Sequence, residues 1–298
     1  MTWIDKRRVR VSGGEFAVVD EGDTEAPPVV LLAGGMTSSY AWRRLIPMLS
    51  PFMRVIAPDL LSSGDSEAVD GADLRWPSHA EHVRELLRAL GVDRYALVGH
   101  GHGGGVAQLL ALDGNVDALV LIDVIAFDAW PAPRMRELNT RLDELGPEGA
   151  ETWLRETLEV GTRRAHLTTA EVHEYVRPFA GTGGLERFRR VATSFDGEGL
   201  IDLERQLAKL EVPVFILWGE EDTFVAPNNA ERLADVLPWS SVALLPGCGH
   251  FLLEDAAETV APLIFKWLQR QYMKVEHRHE PDAGPVVVTL GRRPPGVE

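Results

Sequence analysis

Cysteine is nearly absent: Cys248 is the one thiol among 298 residues. A lone thiol excludes a disulfide within the chain and any cysteine-rich metal site, and it fits a reducing compartment. Positive charge is scarce as well. The 30 Lys and Arg face 45 Asp and Glu, for a formal net charge of −15, and such a surface repels nucleic-acid phosphates and anionic lipid. Neither nucleic acid nor a membrane is expected as a partner. No apolar run approaches the ~20 residues of a membrane span, and the opening Met1-Thr2-Trp3-Ile4-Asp5-Lys6 has no apolar signal core. The expectation is a cytoplasmic protein. His166, His173, His277 and His279 lack ligand spacing matched by a second cluster, so no metal is expected. No complete G-x-G-x-x-G is followed by an acidic residue ~20 positions on, so no organic cofactor is expected either.

What the chain does have is 45% apolar content over a length that buries one large core, or a core with a subsidiary lid. Arg7 to Val11 and Phe16 to Asp20 alternate around Ser12-Gly13-Gly14-Glu15 and predict an antiparallel hairpin. Val29 to Leu32, Val55 to Ala57, Tyr95 to Val98 and Leu119 to Ile122 are short apolar runs of the kind buried on both faces. Helical patterns separate them, as in His79 to Leu90, where Val83, Leu86, Leu87 and Leu90 form one stripe ended by Gly91. Alternation of strand and helix predicts a parallel sheet.

Strand signals then stop, and Glu151 to Val160 and Glu171 to Phe179 read as amphipathic helices. The pattern resumes with Val214 to Trp218, a helix near Asn229 to Leu237, Val242 to Leu245 and a last helix near Ala256 to Arg270. The expected division is core over 1–126, helical lid over 127–209, core again over 210–271 and a tail over 272–298. Within that tail only Val286 to Leu290 looks like a strand.

Chemistry concentrates where the strand Tyr95 to Val98 runs into Gly99-His100-Gly101-His102-Gly103-Gly104 and then the helical run Val106 to Leu112. A glycine-rich turn before a helix also suits an anion, and on these residues alone a phosphate loop is the rival reading. Other segments add to the pattern. Gly219-Glu220-Glu221-Asp222 follows Val214 to Trp218. Leu244-Leu245-Pro246-Gly247-Cys248-Gly249-His250-Phe251 comes later, with Glu254 close behind. Leu31-Leu32-Ala33-Gly34-Gly35 precedes Trp42, and Pro58-Asp59-Leu60-Leu61-Ser62-Ser63-Gly64-Asp65-Ser66 follows.

Taken in this order, the segments resemble the α/β-hydrolase fold superfamily over about residues 5 to 270. The resemblance implies a mostly parallel eight-stranded sheet flanked by helices, with a helical lid inserted. The strand, turn and helix at Gly99 to Gly103 are similar to the G-x-S-x-G nucleophile elbow, which puts Gly101 at the nucleophile position. W-G-x-x-D places Asp222 as the triad acid, and P-x-x-G-H-F places His250 as the base. The L-L-H-G-like segment, with Ala33 in place of histidine, implies an oxyanion hole made by the backbone N–H groups of Gly35 and His102. Ser62 stands at the first glycine position of a D-x-x-G-x-G-x-S loop. Asp123 is a reserve acid, because some members take theirs from the end of that strand. His100, just before the elbow position, is read as structural.

Glycine at 101 excludes both the acyl-enzyme of serine members and the aspartyl ester of dehalogenase-like members. Several readings follow. His250, oriented by Asp222, deprotonates water or a hydrophobic small-molecule substrate directly; the chain is a serine hydrolase inactivated by a Ser-to-Gly change at 101; it is a ligand-binding protein that has lost catalysis; or Cys248 is recruited as nucleophile, against its plainer reading as a packed thiol. The imidazole of His102 is a further candidate acid or base. Trp130, Trp153, Tyr175 and Phe179 are candidates for an aromatic roof over the substrate, with Trp130 and Trp153 as its contacts. Association into a homo-oligomer is left open.

Overall fold

The computed structural model describes residues 3–129, 132–194, 200, 202–275 and 286–289. Strands β1 (Arg7–Val11), β2 (Gly14–Glu21), β3 (Pro28–Leu32), β4 (Arg54–Pro58), β5 (Glu67–Ala68), β6 (Tyr95–His100), β7 (Val116–Ile122), β8 (Val214–Gly219), β9 (Ser240–Leu245) and β10 (Val286–Thr289) form one sheet. Its order is β1-β2-β4-β3-β6-β7-β8-β9-β10, with β5 beside β2. Pairing is antiparallel among β1, β2, β4 and β5 and parallel from β4 to β10. Two strands exceed the eight anticipated. One is the two-residue ribbon β5; the other is β10, the strand-like run of the tail, which extends the sheet beside β9. The hairpin turn is also tighter than its sequence suggests, because Gly14 and Glu15 already pair across to Val11 and Arg10.

Alternation along the central strands builds two cores. Val30 and Leu32 of β3, Leu119 and Leu121 of β7 and Ile216 of β8 face one side with the helices Trp76–Ala89 and Gly101–Ala111. Val29 and Leu31, Val120 and Ile122, and Phe215 and Leu217 face the other, with the helix Ala257–Val275. Successive side chains of a strand point to opposite faces, so a strand buried on both sides must be apolar throughout. This is why β3, β6, β7 and β8 read as continuous apolar runs.

Between β7 and β8 the chain forms the helices Pro133–Arg141, Pro147–Gly161, Thr169–Val176, Gly181–Ser194 and Glu204–Leu207. Thr168 caps its helix with a reciprocal Glu171 bond, a capping box legible in T-x-x-E. No helix among the described residues is long and apolar enough to cross a membrane.

Candidate active site

The elbow forms because strand β6 passes into the helix Gly101–Ala111 without a connecting loop. Strand and helix approach so closely that a Cβ on Gly99 would stand 2.7 Å from the Gly104 Cα. Gly101 lies at the corner with φ +51°, in the left-handed region where side chains are strained. A Cβ at Gly101 would point at the His250 ring, 3.2 Å from Nε2.

His250 is held from several directions. Its Nδ1 lies 2.9 Å from Asp222 Oδ2; the carboxylate can only accept, so Nδ1 carries the proton and Nε2 presents its lone pair toward the elbow. Asp222 is buried, and its other oxygen accepts from the backbone N–H groups of Phe224 at 2.7 Å and Val225 at 3.1 Å. His100 Nε2–H donates to the His250 carbonyl at 2.9 Å. Burial and the adjacent His250 push the His100 pKa down to about 3, so this ring stays neutral and acts as a fixed donor. Phe224 and Phe251 flank the His250 imidazole, with ring centroids at 5.0 and 5.3 Å.

The loop carrying His250 is anchored by Asp255. This carboxylate accepts from the Gly249 N–H and from those of Arg163, Arg164 and Ala165, just past the helix Pro147–Gly161. Beside it, Glu254 accepts two bonds from the Arg43 guanidinium and one from Tyr175 Oη, while Arg43 also reaches Glu171. A buried ionic cluster thus joins the start of the core to the helical insertion. His100, read from its place before the elbow as structural, braces the His250 carbonyl. Asp255 has no sequence signal for its role, and nothing short of the fold supplies one.

Gly35, His102, His250 and Trp153 line one cavity of about 90 Å³, together with Met36, Ile125, Leu154, Tyr175 and Phe224. Met36 is at φ +59°, a strained backbone in the loop that carries Gly35. The His102 ring is buried over the Trp76 indole, with centroids 4.6 Å apart, and burial holds its pKa well below the usual value. Trp153 forms part of the wall; Trp130 lies outside the described residues. Phe179 packs on Phe188 instead, with centroids 6.2 Å apart.

The remaining candidates lie elsewhere. Asp123 is fully buried, and Oδ1 accepts from the Gly219 N–H at 2.8 Å. Burial and neighbouring Asp222 raise its pKa well above the usual range, and it makes no hydrogen bond to His250 among the described residues. Cys248 is buried, its thiol pushed up to about 11 by that burial, and it lies outside the cavity wall; this is the chemistry of a packed thiol rather than a nucleophile. Asp59 ties loops, accepting from the N–H groups of Ser39 and Asp65 at 2.7 Å and from Lys6 Nζ at 2.7 Å. Ser62 is at φ +64°, the physical reason that glycine suits this position of the loop. No group of three His, Cys, Asp or Glu is placed to hold a metal ion among the described residues.

The sequence matches the family model for the alpha/beta hydrolase fold over residues 27–257. It is 32% identical over 294 residues to a soluble epoxide hydrolase of Corynebacterium sp. (strain C12), covering 89% of this chain and 98% of that protein. It is 27% identical over 281 residues to the magnesium-chelatase 30 kDa subunit of Rhodobacter capsulatus, with 88% and 94% covered. In three dimensions it matches an alpha/beta hydrolase fold protein from Burkholderia ambifaria with a TM-score of 0.82 and 24% identity, covering 89% and 99% of the two chains. Fold, element order and the family match over most of the length agree: the chain belongs to the α/β-hydrolase fold family.

Proposed function

We propose that the protein is a hydrolase-type enzyme acting on a hydrophobic small molecule, in which His250 and Asp222 supply general-base chemistry without a covalent nucleophile. The observation that carries this reading is the ordered pair at 2.9 Å, with the free Nε2 aimed at a glycine. A water held at Nε2 gives its proton to that nitrogen, and the hydroxide attacks an electrophilic carbon of the substrate. Asp222 stabilises the imidazolium that forms. The amides of Gly35 and His102 receive the developing oxyanion, and Nε2–H then returns its proton to the leaving oxygen. Deprotonation of an acidic substrate C–H or O–H by the same nitrogen is the variant of this step in which water takes no part. The epoxide hydrolase relative supports an electrophilic carbon as the target.

Catalysis is tested by incubating the protein with a panel of apolar esters, lactones and epoxides and with a metabolite extract, reading products by mass spectrometry. The expected result is at least one product whose formation falls by about 10³ or more in His250→Ala. A product that forms equally well in His250→Ala refutes the mechanism. The ligand-binding reading has one observation in its favour, the similarity to a protein named as a chelatase subunit rather than a hydrolase. It predicts saturable binding with no product from any substrate.

A further inference from the structure

We infer that the cavity takes an amphipathic acid, an apolar body carrying one carboxylate, and that Arg134 receives the carboxylate; this rests on reading the cavity as the substrate site. Arg134 is the second residue of the helix Pro133–Arg141 and stands on the cavity wall. Its guanidinium lies over the Trp153 indole, 5.0 Å from the ring centroid. Nε donates to Thr157 Oγ1 at 2.7 Å, and Nη2 donates to the Trp153 carbonyl at 3.1 Å. Both acceptors are uncharged and sit on one helix, so they fix the orientation of the fork without neutralising it. Nη1 has no hydrogen-bond partner among the described residues. Among the described residues Glu156 is the one carboxylate within 4 Å, at 3.6 Å from Nη2, and it is 58% exposed. A pair that loose and that wet is weak.

The rest of the wall sharpens the argument. Arg134 is its one permanently charged side chain among the described residues. His100 and His102 are kept neutral by burial. No Asp or Glu lines the cavity among the described residues: Asp222 accepts from His250, and Glu254 accepts from Arg43 and Tyr175. A guanidinium fixed in an apolar wall offers a charge-assisted bond to a carboxylate in a medium where that bond is strong. The net charge of −15 sets a long-range field that opposes anions, so a preference for them has to arise locally, at the guanidinium.

The test uses phenylacetate, phenylbutyrate and phenylhexanoate against the amide of each acid, titrated into the full-length protein at neutral pH and followed by calorimetry. The expected result is at least one acid that binds about tenfold or more tighter than its own amide. In Arg134→Met, which keeps an apolar stem against Trp153, that ratio should fall to about one with the amide's affinity unchanged. Arg134→Lys should keep part of it, and supplies the measurement if the methionine variant does not fold. No acid preference in the wild-type protein, no binding by any acid, or a preference that survives in Arg134→Met overturns the inference. A role confined to tying the two helices together would lower the melting temperature and leave the ratio untouched. Turnover is read by product mass spectrometry and the acid-to-amide ratio by calorimetry on the unreactive phenyl acids, so failure of the general-base mechanism and failure of acid recognition are read separately.

Discussion

Substituting Gly101→Ser should convert a site without a nucleophile into one that acylates. The backbone at 101 already has φ +51°, so the new side chain is installed in a left-handed conformation that costs about 1–2 kcal/mol for a residue with a Cβ. The nearest obstacle is His250 Nε2 at 3.2 Å from the new Cβ, with the Gly34 Cα next at 3.6 Å, and the imidazole need give way by only a few tenths of an ångström. The protein should therefore fold, with a melting temperature lower by a few degrees. The hydroxyl, one bond beyond Cβ, comes within hydrogen-bond reach of a base that Asp222 has already oriented. Removing the serine from a working triad costs on the order of 10⁶ in turnover; supplying one to a preformed base should raise hydrolysis of nitrophenyl acetate or butyrate about 10²-fold or more. Stopped-flow absorbance should show a burst of nitrophenol, and intact-mass spectrometry an enzyme heavier by one acyl group. A folded serine variant with neither burst nor adduct would refute the claim that Nε2 faces the elbow.

The buried cluster gives a second expectation. Arg43→Met leaves the Glu254 carboxylate, 2% exposed at its side chain, without its cation, and should destabilise the protein by about 3–5 kcal/mol. Adding Glu254→Met should recover most of that loss in urea unfolding, and additive effects would refute the coupling. Acid should destabilise the fold through its histidines. His79 and His100 are held at about 3 by burial, so the unfolded chain binds protons that the folded chain does not below about 6.5, and stability falls as pH drops through that window. The slope is up to about 1.4 kcal/mol per pH unit for each ring, and urea midpoints that stay flat between about pH 6.5 and about pH 4 would contradict it. Asp123 acts in the opposite direction. Its raised pKa adds stability below the unfolded value of about 3.9, which is lost as pH rises. Asp123→Asn should therefore gain on the wild-type protein with increasing pH, and a gap that narrows instead would show the carboxyl to be ionised in the folded state.

Much of this architecture is legible in the sequence because two-sided burial leaves a residue-level trace. Val29 to Leu32 and Leu119 to Ile122 must be apolar at every position to satisfy both cores, and they stand out for that reason. The Asp222 and His250 pair is legible because both residues sit in short local segments whose small residues are enforced by packing. A Cβ on Gly219 would meet the Gly249 carbonyl oxygen at 2.3 Å, so the motif that locates Asp222 and the one that locates His250 are two sides of one contact. What escapes the sequence is contact between segments far apart in the chain. Arg134 and Asp255 look like ordinary surface charges, and only the fold brings one to the cavity wall and the other beneath the His250 loop. The β10 pairing is invisible for a related reason: an edge strand of four residues depends on β9 for its bonds, and its own sequence says little about where it lands.

The way His250 is held bears on what a glycine elbow means. No hydrogen bond that fixes the imidazole comes from residue 101: Asp222 sets the tautomer, His100 braces the backbone carbonyl, and Asp255 anchors the loop from below. The elbow turn in its own right is satisfied by glycine, which takes φ +51° without strain. Base and elbow are therefore separable parts, and the nucleophile can change without disturbing the pair that would activate it. An intact His250 and Asp222 are for that reason no sign that a serine once stood at 101. Their value as a guide to function lies in what the pair can still do, which on the proposed mechanism is to take a proton from whatever the cavity holds against Nε2.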